Sequence, residues 1–228
     1  MRVIIAALCA GAGKPLPNGK RSGIAKAAIP GAVQITENGI EADEQVDRVH
    51  HGYPEMALHH LPHETYDWLR HHFGPLPRLG DYGSMGENIA TLGLSEHEVC
   101  IGDRFRLGSA LVEITQPRQP CSTIEQHLQA RGIVKSLVAA ARTGWFYRVL
   151  EPGQAGAGDQ LELVERGHVQ WSIARAFLIT YGAARGPDRE LDELAKLPRI
   201  SDRLVRDIEK RLANHPGYWL SSITPRLN

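Results

Sequence analysis

From the first residue to about residue 165, short apolar runs alternate with glycine- and proline-rich turn signals. Val3–Leu8, Ser22–Ile29, Val33–Ile35, Glu98–Ile101, Arg104–Leu107, Leu111–Thr115 and Gln160–Val164 read as strands. Many short strands with this punctuation predict a mostly β sandwich or barrel. Two helices interrupt it. His63–His72 follows Pro62 and places Tyr66 and Leu69 on one helical face. Ser122–Leu128 opens with Ser122-Thr123-Ile124-Glu125, the spacing of a capping box in which Glu125 reaches back to the amide of the cap.

Beyond His168 the period changes. Val169, Ile173, Ala176 and Phe177 fall at helical intervals, and Leu191, Leu194 and Leu197 repeat within Asp188–Leu197. Ile200, Leu204, Ile208 and Leu212 repeat behind a candidate cap at Ser201. Three short amphipathic helices in a small bundle are expected. The 228 residues then divide into a core domain, 1–166, and a helical domain, 167–228. The fold class is α+β, mostly β.

Hydrophobic residues at 42% and charged residues at 23% fit a chain that packs a core. The 26 basic and 26 acidic residues cancel, so neither nucleic acid nor an anionic membrane is an expected partner. An anion must be held by a local cluster. The Val3–Leu8 run is too short for a secretory signal and lacks a small-residue cleavage site after it. No later segment approaches the ~20 apolar residues of a membrane span. Cys9, Cys100 and Cys121 are too few and too far apart for a disulfide framework. A cytoplasmic protein with reduced thiols is expected. The sequence leaves the oligomeric state open.

Cys121 is the first candidate for chemistry. Pro117 and Pro120 hold the backbone extended, the predicted helix starts just after the cysteine, and Arg118 stands three residues upstream. A helix N-terminus and a guanidinium both favour thiolate over thiol, and a thiolate is a soft metal ligand. The competing reading is a buried, inert thiol. His50, His51, His59, His60, His63, His71 and His72 form a second candidate, a zinc hydrolase centre. No H-E-x-x-H or paired C-x-x-C spacing accompanies them, and adjacent histidines project to opposite sides. Gly83-Ser84-Met85-Gly86-Glu87-Asn88 and Arg142-Thr143-Gly144-Trp145 are either turns that let backbone approach a ligand or turns alone. Pro152–Asp159 matches no phosphate loop and reads as a turn into the last strand. Glu41-Ala42-Asp43-Glu44 reads as a surface turn, with paired carboxylates for acid–base work as the alternative.

Taken in order, Ser22-Gly23-Ile24-Ala25-Lys26, Gly39–Gln45, His51-Gly52, Ala57-Leu58, Gly86-Glu87-Asn88, Gly102-Asp103, Gln116-Pro117-Arg118, Pro120-Cys121, Thr143-Gly144-Trp145 and Pro152-Gly153 form a specific series. This series resembles the MOSC (molybdenum-cofactor sulfurase C-terminal) superfamily and its YiiM-like branch, over roughly residues 14 to 165. The resemblance implies a β-barrel-like core, a cofactor of the molybdopterin type in a cleft, and Cys121 as molybdenum ligand. For this branch it also implies detoxifying reduction of N-hydroxylated compounds, notably purine bases, with electrons from a separate reductase. The terminal helices look like the three-helix domain appended in the branch. Ala42, Tyr53 and Met56 depart from the family pattern near the His-Gly turn, which bears on substrate choice.

For a pterin dithiolene ending in a phosphate, Cys121 is the expected metal anchor. Lys26, Arg118 and Arg142 are the expected phosphate ligands. Glu87 and Asn88 are expected at the pterin edge, Gly144 and Trp145 beside it, and His51 as a proton donor. The same residues also suit a module that carries the cofactor or its sulfur without turning over substrate.

Overall fold

The computed structural model describes residues 1–47, 52–183 and 186–213. In chain order the strands are β1 (Arg2–Ala10), β2 (Lys14–Pro15), β3 (Arg21–Ser22), β4 (Ala27–Ala28), β5 (Ala32–Thr36), β6 (Gly39–Ile40), β7 (Leu58–Pro62), β8 (Ile89–Thr91), β9 (Arg104–Leu107), β10 (Ala110–Pro117), β11 (Trp145–Glu151), β12 (Gly153–Gly156) and β13 (Gln160–Glu165). The helices are α1 (Glu64–Phe73), α2 (Thr123–Leu128), α3 (Ile133–Ala140), α4 (Ile173–Tyr181), α5 (Asp188–Ala195) and α6 (Asp202–Ala213), with a 3-10 turn at Pro54–Met56.

The main sheet runs β13-β9-β10-β11-β7-β8-β1 and closes on itself where β1 pairs with β13, Arg2 opposite Glu162 and Ile4 opposite Gln160. The result is a seven-stranded barrel with helices around it, an α+β fold that is mostly β. Closure removes the exposed edges that an open sheet of short strands would present. Leu8, Leu58, Phe105, Ile114, Trp145, Tyr147 and Leu161 belong to the buried apolar cluster of the barrel.

Several expected elements are corrected. Ser22–Ile29 is not one strand but β3 and β4 with a loop between them; a Cβ at Gly23 would lie 2.8 Å from the Glu44 carbonyl oxygen, so the loop packs tightly on residues 43–46. Glu98–Ile101 is a turn with a single bridge, Cys100 to Ser172. The Asp103 carboxylate holds it there by accepting the N–H groups of Cys100 (2.9 Å) and Gly167 (2.7 Å). Ser122 makes no capping bond, and Glu125 instead accepts the Val134 N–H at 3.1 Å, which ties α2 to α3. The capping box read from the sequence does not form.

The three terminal helices stand where the period predicts. Ser172 caps α4 by accepting the Arg175 N–H at 3.2 Å, and Ser201 caps α6 by accepting the Leu204 N–H at 3.0 Å. Their buried residues Ile173, Leu191, Leu194, Leu204 and Ile208 join the same apolar cluster as the barrel. Each such side chain contributes about 1.5–3 kcal/mol of burial, which fixes the helices to the barrel wall. A second cluster forms where α1, α2 and α3 bring Tyr66, Leu69, Ile124, Leu128, Ile133 and Leu137 against Leu61 and Met85.

Candidate functional site

β10 ends at Pro117, and Arg118 then donates its backbone N–H to the Gly144 carbonyl at 3.0 Å. The chain continues through Pro120 to Cys121, which is exposed, whereas Cys9 and Cys100 are buried. Cys121 borders a cavity of about 580 Å³, together with Lys26, Asp43, Met56, His59, Asn88, Arg118 and Phe146. The inert-thiol alternative therefore fits Cys9, whose burial pushes its pKa up to about 12, and not Cys121.

Arg118 is only 8% exposed. Its Nη2 donates to the Met85 carbonyl at 3.3 Å, and its buried Nη1 has no hydrogen-bond partner. Burial pulls its pKa below the ordinary guanidinium value, and the nearby charges of Cys121 and Glu87 oppose that shift. A guanidinium remains a cation even so. An unfilled buried donor on a cation is costly, and an arriving anion would satisfy it.

Lys26 forms an ion pair with Asp43, their side chains 9% and 7% exposed. Asp43 also accepts the Asn88 amide N–H (2.9 Å) and the Gly11 N–H (3.0 Å). Asp43 is thus part of the site and not a surface turn, and Lys26 enters the cavity already neutralised. Asn88 donates its other amide N–H to the Cys9 carbonyl (3.2 Å) and accepts the His59 N–H (3.1 Å). Its polar atoms hold the cavity wall together.

Glu87 lies behind that wall and does not line the cavity. It accepts the Tyr66 hydroxyl at 2.5 Å, the Gly83 N–H at 2.6 Å and the Met85 N–H at 3.1 Å. Burial raises its pKa, against the pull of these bonds. Its carboxyl organises the 83–87 turn so that the Met85 carbonyl meets Arg118. At Gly83, φ is +80° and a Cβ would sit 2.6 Å from Lys26 backbone, so the turn requires glycine.

Three further expected ligands, besides Glu87, lie away from the cavity. Ala141 adopts a left-handed φ of 50° at the end of α3, and Arg142 then lies with its guanidinium carbon 5.9 Å from the Trp68 ring centroid. The Gly144 N–H donates to Glu96 Oε1 at 2.8 Å, and a Cβ there would meet the His60 carbonyl oxygen at 2.1 Å. Gly144 serves strand pairing, not a ligand. Trp145 is fully buried in the barrel against His60, with ring centroids 4.3 Å apart. His51 lies outside the described residues.

The adjacent histidines do project apart. His60 points into the barrel, 3.1 Å from the Tyr147 hydroxyl and 2.8 Å from that of Thr91, and burial lowers its pKa to about 3. His59 borders the cavity, donates from Nε2 to the Thr143 carbonyl at 3.3 Å and rests 5.1 Å from the Phe146 ring. Burial first, and the Arg118 charge second, depress its pKa well below 6.5, so its ring is neutral at neutral pH. Among the described residues no group of three His, Cys, Asp or Glu side chains is placed to hold a metal ion. The described histidines thus do not converge on a zinc site. His59 and Arg203, a residue of α6 that also borders the cavity, were not singled out for this site by the sequence pattern. His59 stood only in the histidine crowd, and Arg203 sits on the polar side of a helix like many surface arginines.

The MOSC domain family model matches residues 47–162, which include His59, Asn88, Arg118 and Cys121. The chain belongs to the MOSC family. Within MOSC proteins it is similar to Protein YiiM of Escherichia coli K12, at 40% identity over 198 residues, or 86% of each chain. It is also similar to the uncharacterized protein YflK of Bacillus subtilis 168, at 37% identity over 72% of this chain and 73% of that one. A protein named reductase from Gibberella moniliformis is 36% identical over 67% of this chain, which spans 27% of that longer protein. The crystal structure of Escherichia coli YiiM superposes with a TM-score of 0.76 at 29% identity, over 92% of both chains. The protein is thus a YiiM-like MOSC protein. Lys26, Asp43 and Arg203 lie outside the matched segment yet border the same cavity. Among the described residues no helix is long and apolar enough to cross a membrane.

Proposed function

We propose that this cavity binds a molybdenum cofactor of the molybdopterin type and that the protein is a reductase of N-hydroxylated compounds, purine bases among them. The observation that carries the reading is one cavity bordered by both an exposed thiol, Cys121, and a buried guanidinium, Arg118, with an unsatisfied Nη1. These residues fit the group. Cys121 is the soft ligand for the metal, and Arg118 the cation for an anionic oxygen of the cofactor. When bound, the cofactor supplies a two-electron redox centre, and the protein supplies binding and electrostatics.

The overall change cleaves the N–O bond: the substrate R–NH–OH takes up two electrons and two protons and gives R–NH₂ and water. A separate reductase is the proposed electron source. Met85 contributes its carbonyl to orient Arg118, and the Lys26–Asp43–Asn88 cluster fixes part of the cavity wall. Met56 and Phe146 provide apolar surface that limits water at the reacting group. His59 keeps its Nε2 proton on the Thr143 carbonyl and borders the cavity as a neutral ring. His51 is the proposed proton donor.

Purified cofactor-loaded protein with an artificial electron donor should reduce N6-hydroxyadenine to adenine in steady state. Cofactor-loaded protein that gives no adenine would leave the carrier role, and the reductase assignment would be abandoned.

A further inference from the structure

The helical domain is fastened to the strand that leads to the thiol. Ser201 donates its N–H to the Thr115 carbonyl at 3.2 Å and its hydroxyl to Gln116 Oε1 at 2.5 Å. The same hydroxyl accepts the Leu204 N–H at 3.0 Å, so one side chain both caps α6 and fixes it to β10 just before Pro117 and Arg118. Leu204 and Ile208 anchor one face of α6 in the barrel's apolar cluster.

On that fixed first turn stands Arg203. It borders the same cavity as Cys121, Met56 and Phe146, with its side chain 24% exposed. Asp207, one turn along, places a carboxylate oxygen 3.7 Å from its Nε, and Asp207 is itself held by the Tyr181 hydroxyl at 2.8 Å. Arg206 lies 5.5 Å from the Tyr53 ring centroid, so α6 also closes on the turn that precedes Met56. The helical domain therefore places a guanidinium in a cavity whose thiol and buried cation belong to the barrel.

A guanidinium carries five N–H donors and no acceptor, so one of them can meet a ring acceptor nitrogen while others stay engaged with the protein. Phe146 and Met56 offer an aromatic face and a soft apolar surface at the same cavity. A flat heteroaromatic ring with acceptor nitrogens at its edge suits both. We propose that Arg203 is a specificity-determining residue, contributed by the helical domain, that recognises the acceptor edge of an N-hydroxylated heteroaromatic base. This rests on the reading above that such bases are reduced here.

The test uses the cofactor-loaded full chain as wild type, Arg203→Ala and Arg203→Lys. Steady-state kinetics are measured with N6-hydroxyadenine and with hydroxylamine, which has no ring edge. Adenine binding is measured by calorimetry, and molybdenum and pterin content by analysis. Arg203→Ala should raise KM for N6-hydroxyadenine and Kd for adenine by roughly ten- to a hundredfold, as expected for loss of one charge-assisted hydrogen bond to a ring nitrogen. The KM for hydroxylamine and the cofactor content should stay at wild-type values, and lysine should recover part of the loss. An equal rise in KM for both substrates, or a lower cofactor content in Arg203→Ala, would overturn the proposal. If the wild type reduces no N-hydroxylated base, the proposed function fails on its own. Adenine binding then decides the role of Arg203: binding weakened in Arg203→Ala supports it, and equal or absent binding refutes it.

Discussion

Arg118 and Gly144 are joined by one backbone hydrogen bond, Arg118 N–H to Gly144 carbonyl at 3.0 Å, and it connects the cavity cation to the start of β11, where β11 pairs with β7. Gly144 has φ of +73°, and its α-carbon approaches β7 so closely that a Cβ would overlap the His60 carbonyl oxygen at 2.1 Å. Gly144→Ala should therefore destabilise the fold by about 2–4 kcal/mol, from left-handed strain plus a backbone clash. Thermal unfolding would show it as a clear drop in Tm. A Tm equal to wild type would mean that Gly144 is not packed against β7 as described.

Arg118 invites the opposite expectation. A buried guanidinium with an unsatisfied Nη1 is a burden on the empty fold, so Arg118→Met should leave the cofactor-free protein as stable as wild type or more so. The same change should lower cofactor retention by roughly ten- to a hundredfold. Denaturant unfolding of the cofactor-free proteins and metal analysis after gel filtration separate the two effects. A large loss of stability without loss of cofactor would make Arg118 a structural residue only.

Acid sensitivity should trace in part to His60. Burial lowers its pKa to about 3 in the fold, from 6.5 when unfolded. Between these values the unfolded chain binds a proton that the folded chain refuses, so stability is full above pH 6.5 and falls as pH drops toward 3. The slope for one such proton is about 1.4 kcal/mol per pH unit. Glu87 and Glu96, whose pKa values burial raises, change stability in the opposite sense at pH values above 4.5, so the informative quantity is a difference. Urea unfolding of wild type and His60→Gln at pH 7 and at pH 5 should show a smaller acid loss in the variant. Identical losses would assign the acid sensitivity elsewhere.

Much of the barrel was legible because Gly and Pro mark its turns and because β9, β10 and β13 carry apolar residues in short, bounded runs. β7, β8 and β11 were not; in β7 all five residues of Leu58–Pro62 are buried and His59-His60 breaks any alternation that could be read. The terminal helices were legible from leucine spacing and from the serine at the α6 cap. At the site, the Pro-Arg-x-Pro-Cys segment pointed to Cys121 and Arg118, and both border the cavity. The partnership of Lys26 with Asp43 joins residues 17 apart across β4, β5 and β6, and no periodicity reports such a pairing. Arg142 was misplaced because the left-handed turn at Ala141, which sends it toward Trp68, is an alanine and gives no glycine signal.

The proposed function requires the Cys121 sulfur to hold a metal. The most direct measurement is molybdenum and pterin per polypeptide in protein purified from cells that make the cofactor, for wild type and Cys121→Ser. Stoichiometric metal and pterin in the wild type, with molybdenum reduced to a small fraction in a variant of unchanged circular dichroism, is the predicted result. Equal molybdenum in both proteins, or none in either, would contradict it.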